Sequence, residues 1–188
     1  MPPKPLILSF DTSVAHCAAA LVSGDEILGC QSEALQKGQA ERLIPMLEEV
    51  LKGAGKSWSD LDLIAVGVGP GNFTGVRIAV STARGLALSL GVPAVGVSVF
   101  EALAFGANGR VTISRDARRG MVFSQMFEDG GAVSDPVMAE GVVDDAVIDP
   151  VKIAFSAAGK GGGTPPAPLY LRSADAGLPS DPPPTILP

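Results

Sequence analysis

The sequence predicts an α/β fold whose N-terminal part runs βββαβαβα. Three observations lead there: three short apolar runs parted by turn residues at the start, two long helical patterns, and a strand-length apolar run after each helix. Residues 6–12 are apolar until Asp11 and Thr12. Residues 17–22 and 26–30 follow, with turn signals at Ser23, Gly24 and Asp25, so a three-stranded meander opens the fold. Gly38 precedes a helix over 39–53, in which Leu43, Met46, Leu47, Val50 and Leu51 recur at helical spacing, and Gly53 and Gly55 stop it. Ser57-Trp-Ser-Asp fits a helix-capping turn. Residues 61–68 are almost continuously apolar, as in a central strand covered on both faces. Gly69-Pro-Gly-Asn-Phe-Thr-Gly breaks that strand, and a second helix follows over 74–90, ended by Gly91 and Pro93. A buried strand over 93–97 and a short helix over 99–105 complete the series.

Beyond Gly109 the alternation weakens. Residues 110–114 and 121–127 read as two strands joined by Asp116-Ala-Arg-Arg-Gly, opening a second lobe. Residues 159–163 are a flexible stretch, and eight of the 16 prolines fall between Thr164 and Pro188 around Leu169-Tyr-Leu-Arg, which reads as extended tail. The domain reading is an N-terminal lobe over 1–108, a reduced C-terminal lobe over 109–163 and a Pro-rich tail over 164–188.

Composition excludes several functions. The 188 residues carry 14 Lys+Arg against 20 Asp+Glu, a formal net charge of −6, with no dense basic run, so this chain is a poor clamp for a phosphate backbone. Two cysteines, Cys17 and Cys30, build neither a zinc cluster nor a disulfide framework, and a reduced compartment is the simpler setting. The single histidine, His16, cannot make a His-rich metal site and is expected as a surface residue in a hairpin turn. No signal peptide and no apolar stretch of about 20 residues is visible, which predicts a cytoplasmic protein with no membrane contact.

Two segments could meet a phosphate. Gly69, Gly71, Thr74 and Gly75 form a glycine-rich loop at a helix N-terminus, where free N–H groups and the dipole suit an anion. The spacing fits neither a P-loop nor GxGxxG, and a tight turn with Thr74 capping the helix is the plainer reading. Asp11 and Thr12, between the first two strands, could face phosphate and metal, or simply bond nearby backbone N–H groups. A hydrolase is disfavoured, since there is no GxSxG elbow. Asp116, Arg118 and Arg119 are expected as a solvated turn.

The second helix is the most informative feature. Val76, Val80, Ala83, Ala87 and Leu90 form one apolar face for the sheet. On the far side, at 100° per residue, fall Ile78, Ser81, Thr82, Gly85, Leu88 and Ser89, while the only charges, Arg77 and Arg84, sit on a flank. An uncharged face of small residues predicts a closely packed partner helix, with burial under a second lobe as the alternative. In the first helix Leu43, Ile44, Leu47 and Leu51 widen the apolar stripe. Together the two helices suggest a four-helix contact with another subunit.

The segment from Leu61-Asp-Leu-Ile-Ala-Val-Gly-Val to Gly69-Pro-Gly-Asn-Phe-Thr-Gly-Val-Arg-Ile resembles the signature of the bacterial TsaB (YeaZ) family, with Asn72 where serine is usual. Leu8-Ser-Phe-Asp-Thr-Ser, Glu41-Arg-Leu-Ile-Pro-Met, Asp116-Ala-Arg-Arg-Gly-Met-Val-Phe and Leu169-Tyr-Leu-Arg-Ser-Ala-Asp-Ala match in the same order. The resemblance implies an actin-like ASKHA (ribonuclease H-like) fold. It also implies a noncatalytic subunit that binds TsaD as a heterodimer through a helical bundle, with the ATPase TsaE joining. The complex makes N6-threonylcarbamoyladenosine beside the anticodon of ANN-decoding tRNAs, and tRNA contact by this chain is expected to be indirect. A homodimer is expected for the isolated chain. No cofactor is expected on this chain alone, and ATP is expected at the level of the complex. The older M22 glycoprotease label rests on an HxxxH metal pair, whereas this chain has Gln39 where some relatives have histidine, and no second ligand. A stand-alone nucleotide-binding enzyme of the actin-like class is the alternative function, and an M22-type metallopeptidase a weaker one.

Overall fold

The computed structural model describes residues 4–117, 120–143, 146–160 and 164–171. Strand β1 (Leu6–Asp11) is its axis, because alternate side chains enter two different apolar layers. Leu6, Leu8 and Phe10 point into one, and Ile7 into the other. β1 pairs antiparallel with β2 (His16–Ser23), and β2 antiparallel with β3 (Glu26–Ala34). On its other edge β1 pairs in parallel with β4 (Leu63–Gly67), which pairs in parallel with β5 (Ala94–Val97). The resulting order, β3-β2-β1-β4-β5, is that of the actin-like, ribonuclease H-like fold.

Both long helices, α1 (Gln39–Gly53) and α2 (Phe73–Leu90), cover the same face. Against the sheet α1 places Leu43, Met46, Leu47, Val50 and Leu51, and α2 places Gly75, Val76, Ala79, Val80 and Ala83. A 3-10 turn at Trp58–Asp60, closed by a Ser57 capping box, leads into β4.

The opposite face is covered by α3 (Val99–Ala104) and by α4 (Pro150–Ala158), a helix absent from the sequence reading. Its start signals are ordinary: the Asp149 side chain accepts from Val151 N–H, and Pro150 stands in the first turn. The Ser9 hydroxyl donates to the Pro150 carbonyl at 2.7 Å, tying α4 to the central strand across 141 residues of chain.

A second sheet of β6 (Arg110–Asp116), β7 (Met121–Glu128) and β8 (Gly131–Ala132), with β9 (Val137–Glu140) also on β7, packs on α3. Their shared core holds Phe100, Ala104, Ile113, Phe123 and Phe127. In the expected solvated turn Asp116 is exposed, while Arg118 and Arg119 lie outside the described residues. Of the Pro-rich segment, residues 164–171 run back over the ends of β4 and β5. Pro166 is buried beside Gly96, and Leu169 N–H donates to the Val68 carbonyl at 2.8 Å. Residues 172–188 lie outside the described residues.

Candidate functional site

The glycine loop lies against the turn between β1 and β2, and the two are sewn together. Asn72 N–H donates to the Ser13 carbonyl at 2.6 Å, and the Thr12 hydroxyl donates to the Gly75 carbonyl at 2.7 Å. A Cβ on Gly75 would run into the Thr12 carbonyl, and one on Gly71 into that of Ser13. These glycines allow two backbones to touch. Gly69 has φ +89°, a left-handed conformation suited to glycine, and the Leu169 carbonyl lies over it, 3.6 Å from where a Cβ would stand.

The helix N-terminus is already capped. Asn72, not Thr74, is the N-cap: its side-chain oxygen accepts from Thr74 N–H (3.0 Å) and Gly75 N–H (3.1 Å), while its carbonyl accepts from Val76 N–H. Serine, usual at this position in the resembling family, caps helices in the same way, so the replacement keeps the local function.

Asp11 is fully buried. Its Oδ1 accepts from Ser13 N–H (2.9 Å), from the Ser13 hydroxyl (2.8 Å) and from His16 Nε2 (2.7 Å). Its Oδ2 has no hydrogen-bond partner and lies against Gly67, where no side chain could fit. The expectation that His16 is a surface turn residue is therefore corrected. It opens β2, is 6% exposed, and its ring closes the turn onto Asp11. Five residues of sequence separation hid that pairing, since only the folded turn brings the ring to the carboxylate.

Much of the hydrogen-bonding capacity around the loop is used within the protein. The N–H groups of Asn72, Thr74, Gly75 and Val76 and the hydroxyls of Thr12 and Ser13 have partners within the protein, and the Leu169 carbonyl lies near Gly69, while residues 71–74 are exposed. Of the residues expected at a phosphate, Gly71 and Gly75 pack against the Thr12–Ser13 turn, Thr12 bonds the Gly75 carbonyl, and Asp11 bonds Ser13 and His16. One carboxylate oxygen, Asp11 Oδ2, is left unexplained by packing. Among the described residues no three His, Cys, Asp or Glu side chains group as metal ligands.

The outer helix faces divide differently from expectation. Leu43, Leu47 and Leu51 are buried in the sheet-facing core and cannot meet a partner. The stripe of α1 is wide because Leu28, Leu35 and Trp58 also wrap around this core, giving a second flank of the helix something to pack on. Only Ile44 of that set is open, at 37% exposure. Around it the surface is charged: Arg42 pairs with Glu33 on β3 and with Glu49, at 2.7 Å to the latter. Hydrogen bonds from Arg42 and then Gln31 pull the Glu49 carboxyl down to about 2, and Arg42 likewise lowers Glu33.

On α2, Ser81, Gly85, Leu88 and Ser89 are exposed, and Leu88 is 87% open. Ile78 and Thr82 are half-buried, with Ile78 packed on the core, so they form the edge of this face. At its N-terminal end the Arg77 guanidinium lies 3.8 Å from the Phe73 ring centroid and donates to the Tyr170 hydroxyl at 2.8 Å, while the two rings stack at 5.4 Å. No sequence signal announces this cluster, whose members lie 93 residues apart.

Residues 26–166 match the family model described as "TsaD: tRNA N6-adenosine threonylcarbamoyltransferase". The tRNA threonylcarbamoyladenosine biosynthesis protein TsaB of Escherichia coli is 39% identical over 122 residues, covering 62% of this chain and 52% of that protein. The TsaB of Bacillus subtilis is 37% identical over 127 residues, covering 65% and 55%. The chain thus spans about half the length of the curated relatives it matches. Among solved structures, YeaZ from Pseudomonas aeruginosa superposes with a TM-score of 0.63 at 31% identity, covering 76% of this chain and 72% of that one. A second Pseudomonas aeruginosa structure, of a protein described as similar to peptidase YeaZ, reaches 0.76 at 27% identity, covering 89% and 100%.

Proposed function

Because the chain belongs to the TsaB (YeaZ) family, we propose that it is a noncatalytic subunit of the machinery that makes threonylcarbamoyladenosine in tRNA, and that it docks TsaD on the outer face of α2. The observation that carries this reading is that face itself: Ser81, Gly85, Leu88 and Ser89 are exposed and uncharged. Burying Leu88 alone would contribute about 1.5–3 kcal/mol, and the small side chains beside it let a partner helix approach closely. The resulting heterodimer supports transfer of the threonylcarbamoyl group to N6 of the adenosine beside the anticodon, with TsaE joining the pair. The chain itself holds no nucleotide in this reading, and ATP acts at the level of the complex. Internally satisfied donors around the glycine loop support that assignment. An acidic subunit with net charge −6 leaves tRNA contact to its partners. With TsaD absent, the same face pairs two copies of this chain. No helix among the described residues is long and apolar enough to cross a membrane, and the proposed setting is the cytoplasm.

The experiment is a size-exclusion run and pull-down with the TsaD of the same organism, with and without ATP and TsaE. Co-elution is the expected result, and absence of any complex with folded protein would overturn the proposal. A second reading, a nucleotide-binding enzyme acting alone, has one observation in its favour, the unpartnered buried Asp11 Oδ2. Calorimetry with ATP and Mg²⁺ is expected to show no heat, and saturable heat lost in Asp11→Asn would favour that reading instead.

A further inference from the structure

Helix α2 carries no carboxylate, and its two charges are Arg77 and Arg84. Arg77 is engaged by Phe73 and Tyr170. Arg84 is exposed and has no hydrogen bond or ion pair among the described residues. It also stands where two grooves meet. One, of about 530 Å³, runs between the C-terminal half of α2 and the returning chain and is lined by Leu88, Val92, Pro93 and Pro165. The other, of about 340 Å³, continues toward Arg77 and Pro168, and Arg84 lines both. The returning segment Thr164–Leu171 adds no carboxylate either. In a chain with net charge −6, this is a positive spot with no carboxylate among the described residues that line it, set in an apolar trough.

We propose that Arg84 and these grooves form a specificity pocket for a protein segment that presents an Asp or Glu side chain next to an apolar one. The inference rests on the partner reading above and names the chemistry that the partner must bring. The apolar walls favour a hydrocarbon side chain beside Leu88, and the planar guanidinium can donate two parallel hydrogen bonds to a carboxylate. A nucleic-acid backbone fits less well, since it requires several phosphate contacts and, among the described residues, the helix supplies one cation without a partner. Docking here would continue the uncharged face of α2 sideways, so that one partner surface covers both.

The test uses calorimetric titration of the full chain with TsaD of the same organism at low and high salt, with circular dichroism confirming that each variant is folded. Arg84→Glu is expected to weaken the complex by roughly tenfold or more at low salt, while Arg84→Lys, which keeps the charge and loses the two-pronged geometry, is expected to weaken it less. Carbodiimide treatment of the Arg84→Lys complex is expected to couple the introduced lysine to a carboxylate of the partner, located by mass spectrometry. If Arg84→Glu binds as tightly as the unsubstituted chain, the inference fails while the partner reading stands. If the unsubstituted chain forms no complex, both fail. If Arg84→Glu leaves the protein complex intact but removes binding of a tRNA anticodon-stem fragment to the free chain, the groove serves RNA and the inference is overturned.

Discussion

Two glycines on α2 should respond in opposite directions to the same substitution. At Gly75 an added methyl would lie well over an ångström inside the roughly 3.5 Å of ordinary contact with the Thr12 carbonyl. Backbone must yield there, and the yielding strains two contacts of the sewn turn, the Thr12 hydroxyl to the Gly75 carbonyl and Asn72 N–H to the Ser13 carbonyl. Overpacking costs about 1–3 kcal/mol and a compromised buried hydrogen bond about 1–3 kcal/mol, against a helix-propensity gain of about 1 kcal/mol for alanine. Gly75→Ala is therefore expected to lose roughly 1–5 kcal/mol by that reckoning. Gly85, on the same helix, has open space around its Cα, and Gly85→Ala is expected to gain about 0.5–1 kcal/mol. Urea unfolding of both variants beside the parent gives the comparison, with melting temperatures about 10 °C apart as a second readout. Equal stability of the two variants, or a more stable Gly75→Ala, would refute the packing account of the glycine loop.

Removing His16 leaves the buried Asp11 carboxylate short of a donor, so His16→Ala is expected to cost about 3–5 kcal/mol in urea unfolding, and a change under about 0.5 kcal/mol would contradict the pairing. Leu47→Ala, in the core, is expected to lose about 2–5 kcal/mol, whereas exposed Leu88→Ala should change stability by under about 0.5 kcal/mol and weaken partner binding instead. Burial pushes the Glu101 carboxyl up, but hydrogen bonds from Lys160 and Ser98 outweigh it and hold the group below its ordinary value. Its contribution is therefore present above the unfolded value of 4.5 and lost as pH falls through the lower folded value, so Glu101→Gln should flatten the acid side of a stability-against-pH curve. Burial pushes the Cys17 thiol up to about 11, and native protein at pH 8 should expose one reactive thiol, Cys30, against two in denaturant, by thiol titration.

Elements held by local pattern were legible in the sequence. The meander, both long helices and the two parallel strands follow from apolar periodicity and from Gly and Pro punctuation, which act within a window of a few residues. What escaped depends on distant chain. α4 covers the back of β1 after more than a hundred intervening residues, and its short apolar pattern does not announce which face awaits it. Leu43, Leu47 and Leu51 look like surplus apolar surface on a helical wheel, and only Leu35 and Trp58, arriving from either side, show that the core bends around α1. The glycine loop was recognisable as special, but the reason, a neighbouring turn pressed onto it, lies about sixty residues away in the chain. By contrast the outward face of α2 was readable at Ser81, Gly85, Leu88 and Ser89, because the sheet claims the other side of the helix and leaves these to solvent.

Gly85→Arg tests the central claim most directly. The position is exposed, its surroundings are open, and its backbone is helical, so an arginine can be carried there without disturbing the core. Isothermal titration with TsaD of the same organism, beside a melting curve of the variant, is the measurement. A folded Gly85→Arg protein that no longer binds TsaD, while the parent does, is the result the account predicts. Undiminished binding by that variant would contradict it, because no partner helix could then be packed on this face.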